Sequence, residues 1–429
     1  RYDVDTDLNY PYRFNLVDID GDEDLDMVSV ARDGDEVVWY ENVDAGYVLG
    51  LSLSGTPSGA ETVTVSPASS AIFDVAGNAA STSQSNNTGT LNDQLGPTMT
   101  ITAEDGSSNA VSDGSTTNDL SLILTFTSSE STTNFVIGDV TVGGGSLISF
   151  SGSGATYTAT FAPSFDGATT IDVAGGTFTD ASGNNNSAAT QFNWNFDSTA
   201  PTITGSSLAS DNSTVAVTMS EAAYNSSNGS GSLEVSDFVF SITGGTATLA
   251  SSTPSSISAS GNVYTLGISL SGSASGAEQL TIIPASTAIY DAAGNAASTS
   301  QSNNSVTLND KTGPTMSIIA SNGFLVIPDG STTSNSSISI TFTSSESTSN
   351  FVVGDVTVSG GSLSSFSGTG TTYTATFTPS SDGATTIDVA GGTFTDAANN
   401  NNTAATQYNW TFDSTAPTIT GSSLASDNS

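Results

Sequence analysis

The chain contains no histidine and no cysteine. Their absence excludes zinc sites built on imidazole or thiolate, thiolate nucleophiles, disulfides and His-dependent catalytic triads. Bases are nearly absent too: Arg1, Arg13, Arg32 and Lys311 stand against 42 acids, for a formal charge of −38. A surface of that sign repels nucleic acid and anionic lipid and attracts divalent cations. Long apolar runs are lacking as well, with no stretch of 18 or more residues suited to crossing a bilayer and no signal peptide. No segment carries the periodicity of a useful amphipathic helix. Charged residues make up only 11% of the chain, so the acidity reflects missing bases more than crowded acids. Ser, Thr, Asn, Gly, Ala and Val dominate, a mix that favours strands and turns. The sequence opens on Arg1 and stops inside a repeated motif at Ser429, so both ends read as cut.

What is present is repetition. APTITGSSLASDNS at Ala200–Ser213 returns at Ala416–Ser429, 216 residues later, and DGATTIDVAGGTFTDA starting at Asp166 returns at Asp382 with the same spacing. SGAE and AGNAASTSQSNN link residues 58–87 to 275–304 at a spacing of 217. The period is a doublet of two unit types. A B-type unit spans residues 96–198 and again 313–414, and a full A-type unit spans 199–312. Residues 47–95 match only the second half of an A unit, and 415–429 open another.

Within the units, TVAVTMSE (214–221), LILTFTSSE (122–130), ATYTATFAP (155–163) and TQFNWNF (190–196) alternate apolar with small polar residues. Period two predicts strands with one face buried. Asp211-Asn212, Asn228-Gly229, Gly244-Gly245, Asp166-Gly167 and Asp329-Gly330 read as the turns between them. About seven short strands per roughly 100 residues is the arithmetic of an immunoglobulin-like β-sandwich. The expected fold is therefore all-β, a tandem of such sandwiches in an elongated array. Phe192, Trp194 and Phe196 share one strand face and are read as core, with a sugar-stacking platform as the alternative.

Two acidic constellations stand out. Asp18, Asp20, Asp22, Asp24 and Asp26 can turn alternate carboxylates inward around a hard cation that wants six to eight oxygens. The loop is not an EF-hand, because Ser29 occupies the place of the Glu at loop position twelve. The alternative is a solvated acidic turn. The second constellation follows from topology. In a sandwich the linker before the first strand, the end of the second strand and the loop before the last strand share one end. That gathers Asp197, Glu221 and the Asp291–Asn295 loop in the A unit. It gathers Asp93, Glu130, Asp180 and Asn184 in the first B unit, and Asp310, Glu346, Asp396 and Asn400 in the second. Such groups can hold calcium at a joint, or the Asp and Asn residues simply form turns. The AANNNN run (397–402), which lacks the Gly of the other copies, predicts a less well-formed loop. Repeated acids with no evident cleft argue against a glycosidase-like pair and against an enzyme.

The phrases DSTAPTIT (197–204), VTMSEAAY (217–224) and IYDAAGNAAS (289–298), with NDQLGPTMTI (92–101) and FTDASGNN (178–185) in the B type, resemble the bacterial Ig-like domains of large surface adhesins. The resemblance covers residues 47–429. It implies a secreted, non-catalytic stalk or adhesin segment at the bacterial cell surface, often stiffened by calcium. Its ligand would be an unidentified surface partner such as polysaccharide or another cell, with no nucleic acid and no membrane insertion. The alternative is a set of accessory modules trailing a larger secreted hydrolase. VDIDGDEDLDMVSV (17–30) with VVWYEN (37–42) resembles one FG-GAP (VCBS) repeat, a propeller-type β unit covering residues 1–46. That match implies Asp18, Asp20, Asp22 and Asp26 as side-chain calcium ligands, with Asp24 giving its backbone oxygen. Residues 1–95, where a lone blade meets a half-sandwich, are expected to be the least regular part.

Overall fold

The computed structural model describes residues 11–17, 26–31, 37–40, 49–74, 76–423 and 426. The chain forms two compact units, Arg1–Leu95 and Gly96–Ser429. In the first, β1 (Pro11–Val17), β2 (Asp26–Ala31) and β3 (Val37–Tyr40) make an antiparallel sheet in chain order. Further on, β4 (Thr62–Thr64) and β5 (Thr88–Thr90) pair antiparallel. Leu49, Val65 and Ile72 are exposed around this pair, whereas Leu266, Ile282 and Ile289, which hold the matching places in the full A unit, are buried.

The second unit contains three hydrophobic cores, one per sandwich. The first B-type sandwich is built from β6 (Met99–Glu104), β7 (Ala110–Val111), β8 (Thr116–Thr117), β9 (Leu122–Thr132), β10 (Val140–Gly143), β11 (Gly145–Pro163), β12 (Gly167–Val173) and β13 (Phe192–Phe196). Its sheets run β11-β9-β6-β7 and β10-β12-β13-β8. The A-type sandwich contains β14 (Ile203–Leu208), β15 (Thr214–Met219), β16 (Phe238–Thr243), β17 (Thr248–Leu249), β18 (Ile257–Ser260), β19 (Val263–Gly267), β20 (Leu270–Ser271), β21 (Gln279–Pro284) and β22 (Ser305–Thr307). Its main sheets run β14-β15-β19-β18 and β16-β21-β22. The second B-type sandwich repeats the first with β23 (Met316–Ser321), β24 (Val326–Ile327), β25 (Thr332–Thr333), β26 (Ile338–Thr348), β27 (Val356–Ser359), β28 (Gly361–Pro379), β29 (Gly383–Val389) and β30 (Tyr408–Phe412).

Alternation decides what is inside. Leu122, Leu124 and Phe126 of β9 are buried and lie opposite Phe161, Ala159 and Tyr157 of β11, which are buried with them. Each large apolar side chain removed from water in this way contributes roughly 1.5–3 kcal/mol before entropy is counted. Phe192, Trp194 and Phe196 join the same core. They are packing residues, not a sugar platform. The strand expected from residue 155 starts ten residues earlier, at Gly145, because β11 absorbs a bend in which Gly152 and Gly154 take φ of 137° and 68°.

Two polar positions lie inside the sandwiches. Glu278 is buried and accepts the N–H groups of Thr246, Ala247 and Ser275 at 2.7, 2.9 and 2.9 Å, with the Ser275 hydroxyl at 3.0 Å. Burial alone would push the carboxyl up, but the N–H donors, led by Ala247 and Thr246, override it and hold the group at about 2. Gly245 is required there: a Cβ would fall 2.1 Å from the carboxyl carbon of Glu278. The second position separates the two B copies. Trp194 Nε1 donates to the Thr117 hydroxyl at 3.1 Å, and that hydroxyl donates onward to Asp119 at 2.7 Å. In the second copy Asn335 stands where Asp119 stands in the first, and its amide donates into the Thr333 hydroxyl at 2.6 Å. Trp410 Nε1 is left buried without a partner.

Glu278→Gln is expected to lower the stability of the A-type sandwich by about 3 kcal/mol at neutral pH, the scale of a carboxyl held that far below its ordinary value. A depressed carboxyl stabilises above its unfolded value near 4.5 and loses that contribution as pH falls toward 2. Urea titrations of the two proteins should therefore converge as pH is lowered through that window. Asn335→Asp should return the Thr333 hydroxyl to Trp410 and raise the stability of the second B-type sandwich by about 1 kcal/mol. Trp410 fluorescence during denaturation reads this in a Trp39→Phe, Trp194→Phe background.

Candidate metal sites at the sandwich joints

Asp197 follows β13 directly and opens the linker into the A-type sandwich. Glu221 sits two residues beyond the end of β15, and Asp291 lies in the loop between β21 and β22. The up-and-down course of the strands brings all three to one end. Their carboxylate oxygens lie within 4.8 Å of one another, and so do those of Asp310, Glu346 and Asp396 at the next joint. Oxygens on opposite sides of one calcium ion stand about 4.6–5.2 Å apart, twice a single ligand distance. In each group two of the acids are half-buried and one is buried.

The buried member is fixed by its own loop. Asp291 accepts the Asn295 backbone N–H and side-chain amide, both at 2.8 Å. Asp180 and Asp396 repeat this with Asn184 and Asn400. An equivalent Asp105–Asn109 turn lies exposed on the hairpin of the first B-type sandwich, away from any such acid group. The Asp-x-x-x-Asn turn is therefore self-sufficient. What marks the joints is the glutamate and the linker aspartate beside it.

Electrostatics follow from that crowding. Burial, then the charges of Asp291 and Asp197, push the Glu221 carboxyl up. Burial, then Asp310 and Asp396, does the same to Glu346. Asp180 shows the opposite balance: burial pushes it up, but donors led by the Asn184 side chain bring it below its usual range.

The AANNNN loop is as well formed as the others, contrary to the expectation from its composition. Asn399 adopts φ of 66° where Gly183 adopts 88°, and the Asp396–Asn400 bonds close as in the first copy. Asparagine tolerates the left-handed region better than other residues with a Cβ.

Asp18, Asp20, Asp22 and Asp24 lie outside the described residues, and Asp26 is placed only as the first residue of β2. Asp93, in the first compact unit, accepts the Leu95 N–H at 3.0 Å. Glu130 lies in β9 and Asp180 in the loop before β13. Sequence reasoning missed Asp166, read only as a turn former. Its carboxylate accepts the Ser198 N–H and hydroxyl at 3.0 and 2.7 Å and the Thr199 hydroxyl at 2.6 Å, gripping the linker. Asp382 does the same to Ser414 and Thr415. The signal was available, since Asp166 and Asp382 each stand 32 residues before a Ser-Thr pair that follows the last strand.

Residues 93–196 and 310–412 match the model of a family described as Bacterial Ig-like domain. Both B-type sandwiches are similar to bacterial Ig-like domains. Among curated proteins none matches the chain. Among solved structures, the Escherichia coli adhesin FdeC is similar at 15% identity over 73% of this chain and 96% of its own, with a TM-score of 0.30. Invasin, described as a bacterial integrin-binding protein, is similar at 13% identity over 74% of this chain and 60% of its own, with a TM-score of 0.27. The S-layer protein rSbsC is similar at 13% identity over 76% of this chain and 55% of its own, with a TM-score of 0.17. Likeness at that level carries no argument about function. Among the described residues no helix is long and apolar enough to cross a membrane.

Asn399→Gly should be nearly neutral, whereas Asn399→Ala should destabilise the second B-type sandwich by about 1 kcal/mol, the cost of placing a Cβ without a local polar partner at positive φ. Paired thermal melts of the two variants check this.

Proposed function

We propose that this chain is a non-catalytic stalk segment of a bacterial surface protein, in which tandem Ig-like sandwiches are joined through calcium. The observation that carries this reading is the pair of three-carboxylate groups, Asp197–Glu221–Asp291 and Asp310–Glu346–Asp396, each at a linker. The sequence has four bases against 42 acids, so a side-chain cation is rarely at hand to neutralise them. The division into modules at 96–198, 199–312 and 313–414 belongs to the same proposal. So does a further calcium loop at Asp18, Asp20, Asp22 and Asp26 with the Asp24 carbonyl, after the FG-GAP-like motif. The role places the chain outside the cell, holding a distal partner-binding region whose ligand is a surface polysaccharide or another cell. Each sandwich closes its own core, as expected of an array whose members act as struts.

Glu221→Gln separates this reading from a simple turn-forming role. With chelator, removing a charge crowded by Asp197 and Asp291 should raise the melting temperature of the A-type sandwich. With calcium, the same change should remove most of that joint's calcium-induced gain. A site held at about 100 times its dissociation constant adds roughly 2.7 kcal/mol. Calorimetry of the chain with calcium, magnesium or chelator reads both signs. Melts that do not respond to calcium would overturn the proposal.

A further inference from the structure

The two joints of the second compact unit are built differently. At the first, the B-type and A-type sandwiches hydrogen-bond directly. Asn118, just past β8, donates its backbone N–H to the Ala293 carbonyl at 3.2 Å and its side-chain amide to Asn295 Oδ1 at 3.1 Å. Asn295 donates in turn to the Asp197 carbonyl of the linker at 2.8 Å. The linker is gripped from behind by Asp166 through Ser198 and Thr199 and by Thr117, whose carbonyl accepts the Asp197 N–H at 3.1 Å. One continuous network thus runs from β8 through the linker into the loop that carries Asp291.

At the second joint the linker meets each sandwich separately: the Pro314 carbonyl accepts the Thr403 N–H at 3.0 Å on the B-type side, and the A-type side holds it by two bonds to one carbonyl. Lys311 N–H donates to the Ala274 carbonyl at 2.7 Å, and the Thr312 hydroxyl donates to the same carbonyl at 3.0 Å. Asn400, which holds the place of Asn295, spends its side-chain amide on Asp396 alone. Among the described residues no hydrogen bond joins residues 199–309 to residues 313–414. The carboxylates of Glu346 and Asp396, both on the second B-type sandwich, face that of Asp310 in the linker.

We infer that the B-type and following A-type sandwiches form one stiff pair without any metal, and that the joint from A to B is a hinge that cation binding closes. The second half of this inference rests on the calcium reading of the joints; the first half does not. A direct bridge holds one geometry by itself, whereas like charges facing each other with no bridge favour separation until a cation neutralises them. The device lets one chain present stiff doublets on joints whose freedom follows the external cation concentration.

The lack of cysteine makes the test clean, because introduced thiols are the only labelling sites. Spin labels at Thr127→Cys and Ser258→Cys span the first joint, and labels at Ser258→Cys and Thr343→Cys span the second; all three positions are exposed. Distance distributions are measured on the full chain in chelator and in calcium. The inference expects a narrow first-joint distribution in both conditions and a broad second-joint distribution in chelator. Asn118→Ser, which installs the residue found at the matching position 334, should broaden the first joint in chelator. Equal widths at the two joints in chelator, or a first joint unmoved by Asn118→Ser, would overturn it. A second joint that stays broad in calcium while the first stays narrow would instead overturn the calcium reading and leave the stiff pair standing.

Discussion

With four bases against 42 acids, few carboxylates in this chain can draw on a side-chain cation. Two contrasting arrangements recur. Glu278 is buried and wrapped in backbone N–H donors, which hold its carboxyl at about 2 despite desolvation. The carboxylates of Asp180, Asp291 and Asp396 likewise accept N–H donors, each from its own five-residue turn. Glu221 and Glu346 do the reverse: they are brought toward other carboxylates, and burial with that crowding pushes them up. A fold that meets many of its acids with N–H donors and crowds a few of them at its joints has concentrated its unmet charge in particular places.

Much of the fold was legible because period-two patterning and repetition speak to the same question. Leu122, Leu124 and Phe126 read as one strand face and are one. The convergence of the linker, the second strand and the last loop follows from sandwich topology alone, which is why the sequence pairs Glu221 with Asp291 across seventy residues. Other features were not legible. The Asp166 grip depends on a side chain reaching a linker 32 residues away, and its Asp-Gly context reads first as a turn. The Asn118 bridge links residues 177 positions apart through a single amide, with no periodic pattern to betray it. The AANNNN run lacks the glycine that marks a positive-φ position, and its order rests on Asn399, which adopts that conformation instead.

The two B copies show how far near-identity can mislead. They share sheet order, register and core, yet one substitution, Asn335 in place of Asp119, reverses the direction of a hydrogen bond. Aspartate accepts the threonine hydroxyl proton and leaves the oxygen open to the tryptophan, whereas asparagine donates and occupies it. The result is a buried indole N–H with a partner in one copy and without one in the other.

The alternation of unlike sandwiches bears on how the chain reaches this state. Strands β12 and β29 share the sequence GATTIDV, so a strand from one B copy could complete the sheet of the other. Between neighbours, such exchange is a characteristic failure of tandem repeats. Here an A-type sandwich with a different strand order separates the two copies. During synthesis each emerging sandwich therefore has a neighbour of different strand order, an alternation that disfavours exchange between identical strands.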